Sequence, residues 1–189
     1  SLDGWVARLT NTASRFGVQL DSLSDLLAFS AASAILCYSW QLHYVGRTGK
    51  IGWTIALFFV MCGALRLARF NVQSDTAESR TFTGMPTPGA ATILASCALV
   101  CLETPELMFP GFRYFLALLA TLLGVLMVSN VRYRSAKEFL MKKRKPFWVL
   151  ALAAAVVILI CIDPPTIILA CSLLYMLWGL VESGYHYVT

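Results

Sequence analysis

Charge is scarce in this chain. Asp, Glu, Lys and Arg together make up 13% of its 189 residues, against 58% hydrophobic residues and a mean hydropathy of +0.71. So few polar side chains cannot cover that much apolar surface in water, which excludes an ordinary soluble domain. The apolar stretches also lack the residue-by-residue alternation of a barrel strand, which excludes a transmembrane β-barrel. The six cysteines, Cys37, Cys62, Cys97, Cys101, Cys161 and Cys171, form no CxxC pair and have no histidine spaced to complete a metal site. They read as small core residues, and the two histidines, His43 and His186, read as polar anchors at span ends. There is no glycine-rich phosphate loop, internal repeat or low-complexity tract. A signal peptide is missing as well: Asp3 and Arg8 stand where a basic stretch and an apolar run are required. The opening Ser-Leu-Asp-Gly-Trp therefore reads as internal to a longer chain, and residues 1–189 as one membrane-embedded domain, N-terminally incomplete.

What is present is a series of near-continuous apolar runs at about 22–42, 51–70, 88–102, 111–131, 147–162 and 165–185. Each is close to the roughly 20 residues a helix needs to cross the hydrocarbon core, and only helices satisfy their backbone amides internally in lipid. The expected fold is an all-α, polytopic transmembrane helical bundle with six spans. If the spans alternate, only Arg47, Lys50 and Arg113 fall on one side. The other twelve of the fifteen Lys and Arg share the opposite side with the chain's opening, a strong positive-inside signal for the cytosol. Residues 71–87 are polar and end in Gly84-Met85-Pro86-Thr87-Pro88, where the prolines favour an extended approach to the next span. The basic stretch 132–146 either lies on anionic lipid or simply enforces topology.

Carboxylates beside or inside apolar helix are costly, so Asp3, Asp21 and Asp25 are candidates for function. Asp21 and Asp25 are four residues apart and project from one helix face, with Gly17 a further turn back. Two carboxylates so close do not both stay ionised without a cation, and oxygen ligands alone suit Mg²⁺ or Mn²⁺. The alternative is that they cap a helix start and contact Arg8 or Arg15.

The longer spacing, Asp3-Gly4-x2-Ala7-Arg8-x8-Gly17-x3-Asp21-x3-Asp25, resembles the signature of the CDP-alcohol phosphotransferase family, D-x2-D-G-x2-A-R-x8-G-x3-D-x3-D, at every fixed position but its first. The resemblance implies that the first aspartate directly precedes Ser1 and that at least one further span lies upstream. It also implies a two-metal site of Asp3, Asp21 and Asp25 with that upstream aspartate, gripping the pyrophosphate of a CDP-linked lipid. By the same resemblance Asp25 takes the proton from the acceptor hydroxyl. Gly4, Ala7 and Gly17 let the cytidine approach the backbone, and Arg8 pairs with the acidic cluster or a phosphate oxygen.

Leu65-Arg66-Leu67-Ala68-Arg69-Phe70-Asn71 and Thr83-Gly84-Met85-Pro86-Thr87-Pro88 are similar to segments of the phosphatidylserine synthase branch of that family, as is Ser14-Arg15-Phe16-Gly17. This branch implies CDP-diacylglycerol and L-serine as substrates, with Arg66, Arg69, Phe70 and Asn71 as the serine pocket; the arginines could instead snorkel to lipid phosphates. Glycerol phosphate and inositol phosphate remain open as acceptors. So does a cation transporter or channel, although the Gly and Ala offsets have no use there. Membrane lipids and a second copy of the chain are the expected partners, with no nucleic acid, and the active site is expected to face the cytoplasm.

Overall fold

The computed structural model describes residues 15–46, 48–74, 82–107, 111–129, 131–133 and 147–188. Asp3, Gly4, Ala7 and Arg8 lie outside these, as do most of the basic stretch 132–146 and residues 75–81 of the polar loop.

Among the described residues, six apolar helices lie where the hydropathy places them. The first begins as α1 (Arg15–Asp25), passes through a π-helical segment (Leu26–Ala31) and continues as α2 (Ala32–Trp40). Asp25 and Ala32, which flank the π segment, both keep right-handed helical backbone, so the three pieces form one unbroken rod. A 3₁₀ turn at Leu42–Tyr44 leads to α3 (Lys50–Ser74). Then come α4 (Thr87–Glu103), α5 (Phe112–Val128), α6 (Phe147–Ile162) and α7 (Pro164–Val188). Among the described residues, three stretches are long and apolar enough to cross a membrane: Gln19–Trp40, Lys50–Val72 and Pro164–Val181. With 17, 17 and 16 residues, α4, α5 and α6 are shorter than a full-thickness span, because Pro86, Gly111 and Asp163 mark where each helix starts or stops.

The polar loop starts later than residue 71, since α3 runs one turn further, through Asn71 to Ser74. The expected extended approach to α4 is present. Pro86 has φ −60° and ψ 134°, and Pro88 sits in the first turn of α4, where its missing N–H costs nothing. Ahead of it, β1 (Phe82–Thr83) pairs antiparallel with β2 (Arg132–Tyr133). The Gly84 amide donates to the Val131 carbonyl at 2.8 Å and that of Met85 to Leu126 at 3.1 Å. Gly84 has φ +85°, and a Cβ there would collide with the Met127 carbonyl, so only glycine lets this segment lie on the end of α5.

Helix α3 packs along α5, α4 along α7, and α2 against both α3 and α4. Between them lie Phe59, Met85, Ile93, Leu94, Leu116, Leu123 and Met127, each almost fully buried. Large apolar side chains such as Ile35, Leu118 and Trp178 remain exposed on the outer faces. That distribution belongs to a bundle whose surroundings are lipid rather than water.

Candidate active site

Two contacts, with an electrostatic pairing between them, bring α1 and the π segment against the C-terminal part of α3. Ser30, fully buried in the π segment, sits directly on Gly63, where a Cβ would collide with the Ser30 hydroxyl. Closer to the chain's start, Ser22 accepts a hydrogen bond at 3.0 Å from Asn71 Nδ2. Between these two contacts, Asp25 and Arg66 lie within electrostatic reach of each other. Ser22 to Ser30 and Asn71 to Gly63 each cover eight residues and run in opposite directions, as two antiparallel helices in continuous contact require. A π turn widens the helix by one residue per turn and rotates what precedes it, so this segment helps set which way Asp25 faces.

Asp25 is half-buried at the seam, whereas Asp21 and Gly17, on the same face, are exposed. Asp21 and Asp25 thus offer two carboxylates at one end of the bundle. Among the described residues no three of His, Cys, Asp and Glu group closely enough to hold a metal, and Asp3, the third expected ligand, lies outside them.

Arg66 is half-buried, and its Nη1 donates to Thr87 Oγ1 at 2.8 Å. Its Nε is buried and has no hydrogen-bond partner among the described residues. Tyr175 of α7 stands within electrostatic reach of the same guanidinium, so the last helix also contributes to this corner. Of the other expected serine-pocket residues, Asn71 is engaged with Ser22, Arg69 is half-buried and Phe70 is 43% exposed. The structure therefore brings Asp25, Arg66 and Asn71 to one seam. It adds Ser22, Ser30, Gly63, Thr87 and Tyr175, to which sequence reasoning gave no role. Thr87 had a signal, since it lies inside the Gly-Met-Pro-Thr-Pro run. Ser30, Gly63 and Tyr175 had none, being single small or aromatic residues within apolar helices.

A carboxylate within electrostatic reach of an arginine across a helix seam, with a second carboxylate one turn back, suits transfer of a phosphoryl group to a hydroxyl, and the family comparison speaks to the same chemistry. A family model for CDP-alcohol phosphatidyltransferase matches residues 1–126. The chain belongs to the CDP-alcohol phosphatidyltransferase family. Among its relatives, the CDP-diacylglycerol–serine O-phosphatidyltransferase of Helicobacter pylori is 39% identical over 185 residues, covering 96% of this chain and 73% of the relative. The enzyme of the same name from Methanocaldococcus jannaschii is 37% identical over 134 residues, 70% of this chain and 57% of the relative. An archaetidylserine synthase of Methanothermobacter thermautotrophicus is 39% identical over 137 residues, again 70% of this chain and 52% of the relative. Membership sets aside the cation-pathway reading of the aspartates. It also makes the chain an integral membrane transferase, in keeping with its long apolar helices.

Proposed function

We propose that this chain transfers the phosphatidyl group of CDP-diacylglycerol to the hydroxyl of L-serine, releasing CMP. The observation that carries the reading is 39% identity over nearly the whole chain to an enzyme named for that reaction, in a chain whose Asp25 and Arg66 lie within electrostatic reach across the α1–α3 seam. Free serine is a zwitterion, so a site that selects it has to satisfy a carboxylate. The planar fork of Arg66 is suited to that task, and its buried Nε has no protein acceptor.

Asp25 accepts the proton of the serine hydroxyl as that oxygen attacks the phosphorus bonded to diacylglycerol. The bond from that phosphorus to CMP breaks, CMP leaves with the electron pair, and the proton on Asp25 passes to solvent. Positioning is the larger part of such catalysis, because the phosphorus needs its incoming and outgoing oxygens in line. Asp21 and Asp25 fit a hard divalent cation in the chemistry of their donors: both are carboxylates, on one face, with one of them open to solvent. With Asp3 they would hold two Mg²⁺ or Mn²⁺ ions, which supply charge neutralisation on the transferring group and on departing CMP. Gly4, Ala7, Arg8 and Gly17 are assigned to the nucleotide, by the family signature. The same proposal includes an active site facing the cytoplasm, supported by the one-sided distribution of Lys and Arg, and a homodimer in the membrane.

A panel of radiolabelled acceptors tests the reading, with CDP-diacylglycerol in mixed micelles and Mn²⁺ or Mg²⁺ present. Serine is expected to enter the lipid fraction with equimolar CMP release, and a chelator to stop both. Incorporation of glycerol phosphate or inositol phosphate in place of serine would overturn the choice of acceptor.

A further inference from the structure

How the Arg66 guanidinium is turned decides what it can bind. Its donors form two parallel pairs, Nε with Nη2 along one edge and Nη1 with Nη2 at the end. Thr87 Oγ1 takes a hydrogen bond from Nη1 at 2.8 Å, which engages the one nitrogen that belongs to the end pair alone. The edge is left over, and its Nε is buried without a partner. A buried donor without an acceptor is destabilising and calls for an explanation.

Thr87 is well fixed to act as a clamp. It is 1% exposed and opens α4 directly after the extended Pro86. Of the two residues before Pro86, Met85 is tied by its amide to Leu126 of α5 and Gly84 to Val131 just beyond that helix. The left-handed turn at Gly84 presses the strap onto the Met127 carbonyl. The hydroxyl is thus held by backbone geometry on both sides, and Arg66 has to turn to meet it.

We infer that Thr87 is a positioning residue, clamping the end of Arg66 so that its Nε–Nη2 edge is presented to the carboxylate of the acceptor beside Asp25. The inference rests on serine being the acceptor. It assigns the choice between serine and an acceptor without a carboxylate to a hydroxyl that does not itself touch the substrate.

Thr87→Val keeps the shape and removes the acceptor atom. In the full chain, with CMP release followed as serine is varied, its KM for serine is expected to rise about tenfold. Turnover at saturating serine should stay within about threefold, and the KM for CDP-diacylglycerol within about twofold. Thr87→Ser is expected to restore the serine KM. Serinol, in which a hydroxymethyl group replaces the carboxylate, supplies a readout that a merely structural role would not move. The preference of the unaltered chain for serine over serinol should shrink about tenfold in Thr87→Val. Should Thr87→Val not be recovered folded, Thr87→Cys carries the same comparison, with an intermediate rise expected from its weaker acceptor.

An unchanged serine KM and serinol preference overturns the inference. An equal rise in both substrate KM values overturns it too, because that marks a general loss of packing between α3 and α4. So does a Thr87→Ser variant as weak as Thr87→Val. If the unaltered chain does not use serine, the proposed function fails and takes this inference with it. If it uses serine and Thr87→Val matches it, the positioning role alone falls.

Discussion

The two ends of α3 are built from different materials around the same device. At its start, Gly52 lies so close to Leu42 that a Cβ would collide with the Leu42 carbonyl; further along, Gly63 plays the same part against Ser30. Close approach through small residues is how helices pack where lipid removes the usual hydrophobic drive. Around Gly52 the contact is filled by aromatics and closed hydrogen bonding. Tyr38 meets the Trp53 ring edge-on at 5.5 Å, and His43 Nδ1 lies 3.1 Å from the Tyr38 carbonyl. Beyond Gly63 α3 carries Arg66, within electrostatic reach of Asp25, and Asn71, and two buried polar groups, Ser30 Oγ and Arg66 Nε, are left without a partner among the described residues. An unpaired Nε is not sufficient to make a site, since Arg113 also has one, yet its guanidinium lies over the Tyr114 ring 5.3 Å away. The presence of a carboxylate across the seam and of Thr87 behind it is what separates Arg66 from Arg113.

The strongest way to break the comparison is Asp25→Asn. It keeps size and some capacity to bind a cation, but removes the base. CMP release is expected to fall at least about a hundredfold, within the usual contribution of general base catalysis, while CDP-lipid binding persists better than turnover. Near-normal rates would remove the base assignment. Next comes Arg66→Lys, which retains charge and reach but not the fork; the KM for serine should rise about tenfold or more, as loss of a charge-assisted hydrogen bond implies. Arg113→Lys at the other end should leave it within about twofold, and an equal effect of the two would show that Arg66 acts through membrane anchoring alone.

The paired glycines give a smaller, sharper test. Gly52→Ala and Gly63→Ala each force a methyl group into an occupied space, costing about 1–3 kcal/mol of stability by overpacking. Gly63→Ala should also lower turnover several-fold, and Ser30→Gly in the same chain should recover part of it. Gly52→Ala should lower the melting temperature while the turnover of the folded fraction is retained. If both variants lose turnover in proportion to stability, the two ends do not differ in kind.

Much of this architecture was legible before any coordinates. Six apolar helices follow from long uninterrupted runs, and Asp21 and Asp25 share a face because helical residues four apart do. The extended approach to α4 follows from Pro86 and Pro88, whose ring geometry is local. What stayed hidden depended on partners far away in the chain. The π segment carries no local mark, because Leu26–Ala31 is ordinary apolar sequence, and its Ser30 meets Gly63, a residue far along the chain. The polarity of Asn71 to Ser74 suggested a loop, yet the helix continues there because Asn71 has Ser22 to bind. Thr87 is 21 positions from Arg66, and Tyr175 lies in a helix whose sequence shows only hydrophobicity. Four of the eleven expected site residues, Asp3, Gly4, Ala7 and Arg8, fall outside the described residues.

The smallest effect concerns Asn71, which the family resemblance assigns to the serine pocket. In the structure its Nδ2 donates to Ser22 Oγ, a contact between residues 49 positions apart that joins α1 to α3. An amide committed to closing the seam is less available to a substrate, so Asn71 is expected to act on stability more than on serine. A double-mutant cycle decides between the two roles. Ser22→Ala and Asn71→Ala should each destabilise the protein, and together by less than their sum, with a coupling of about 1 kcal/mol for a part-buried hydrogen bond. The serine KM of either variant should stay within about threefold, because the net value of one neutral hydrogen bond sets that scale. If Asn71→Ala instead raises the serine KM tenfold while Ser22→Ala leaves it unchanged, the amide reaches the substrate. The serine pocket would then extend one helical turn beyond Arg66, toward the exposed Phe70.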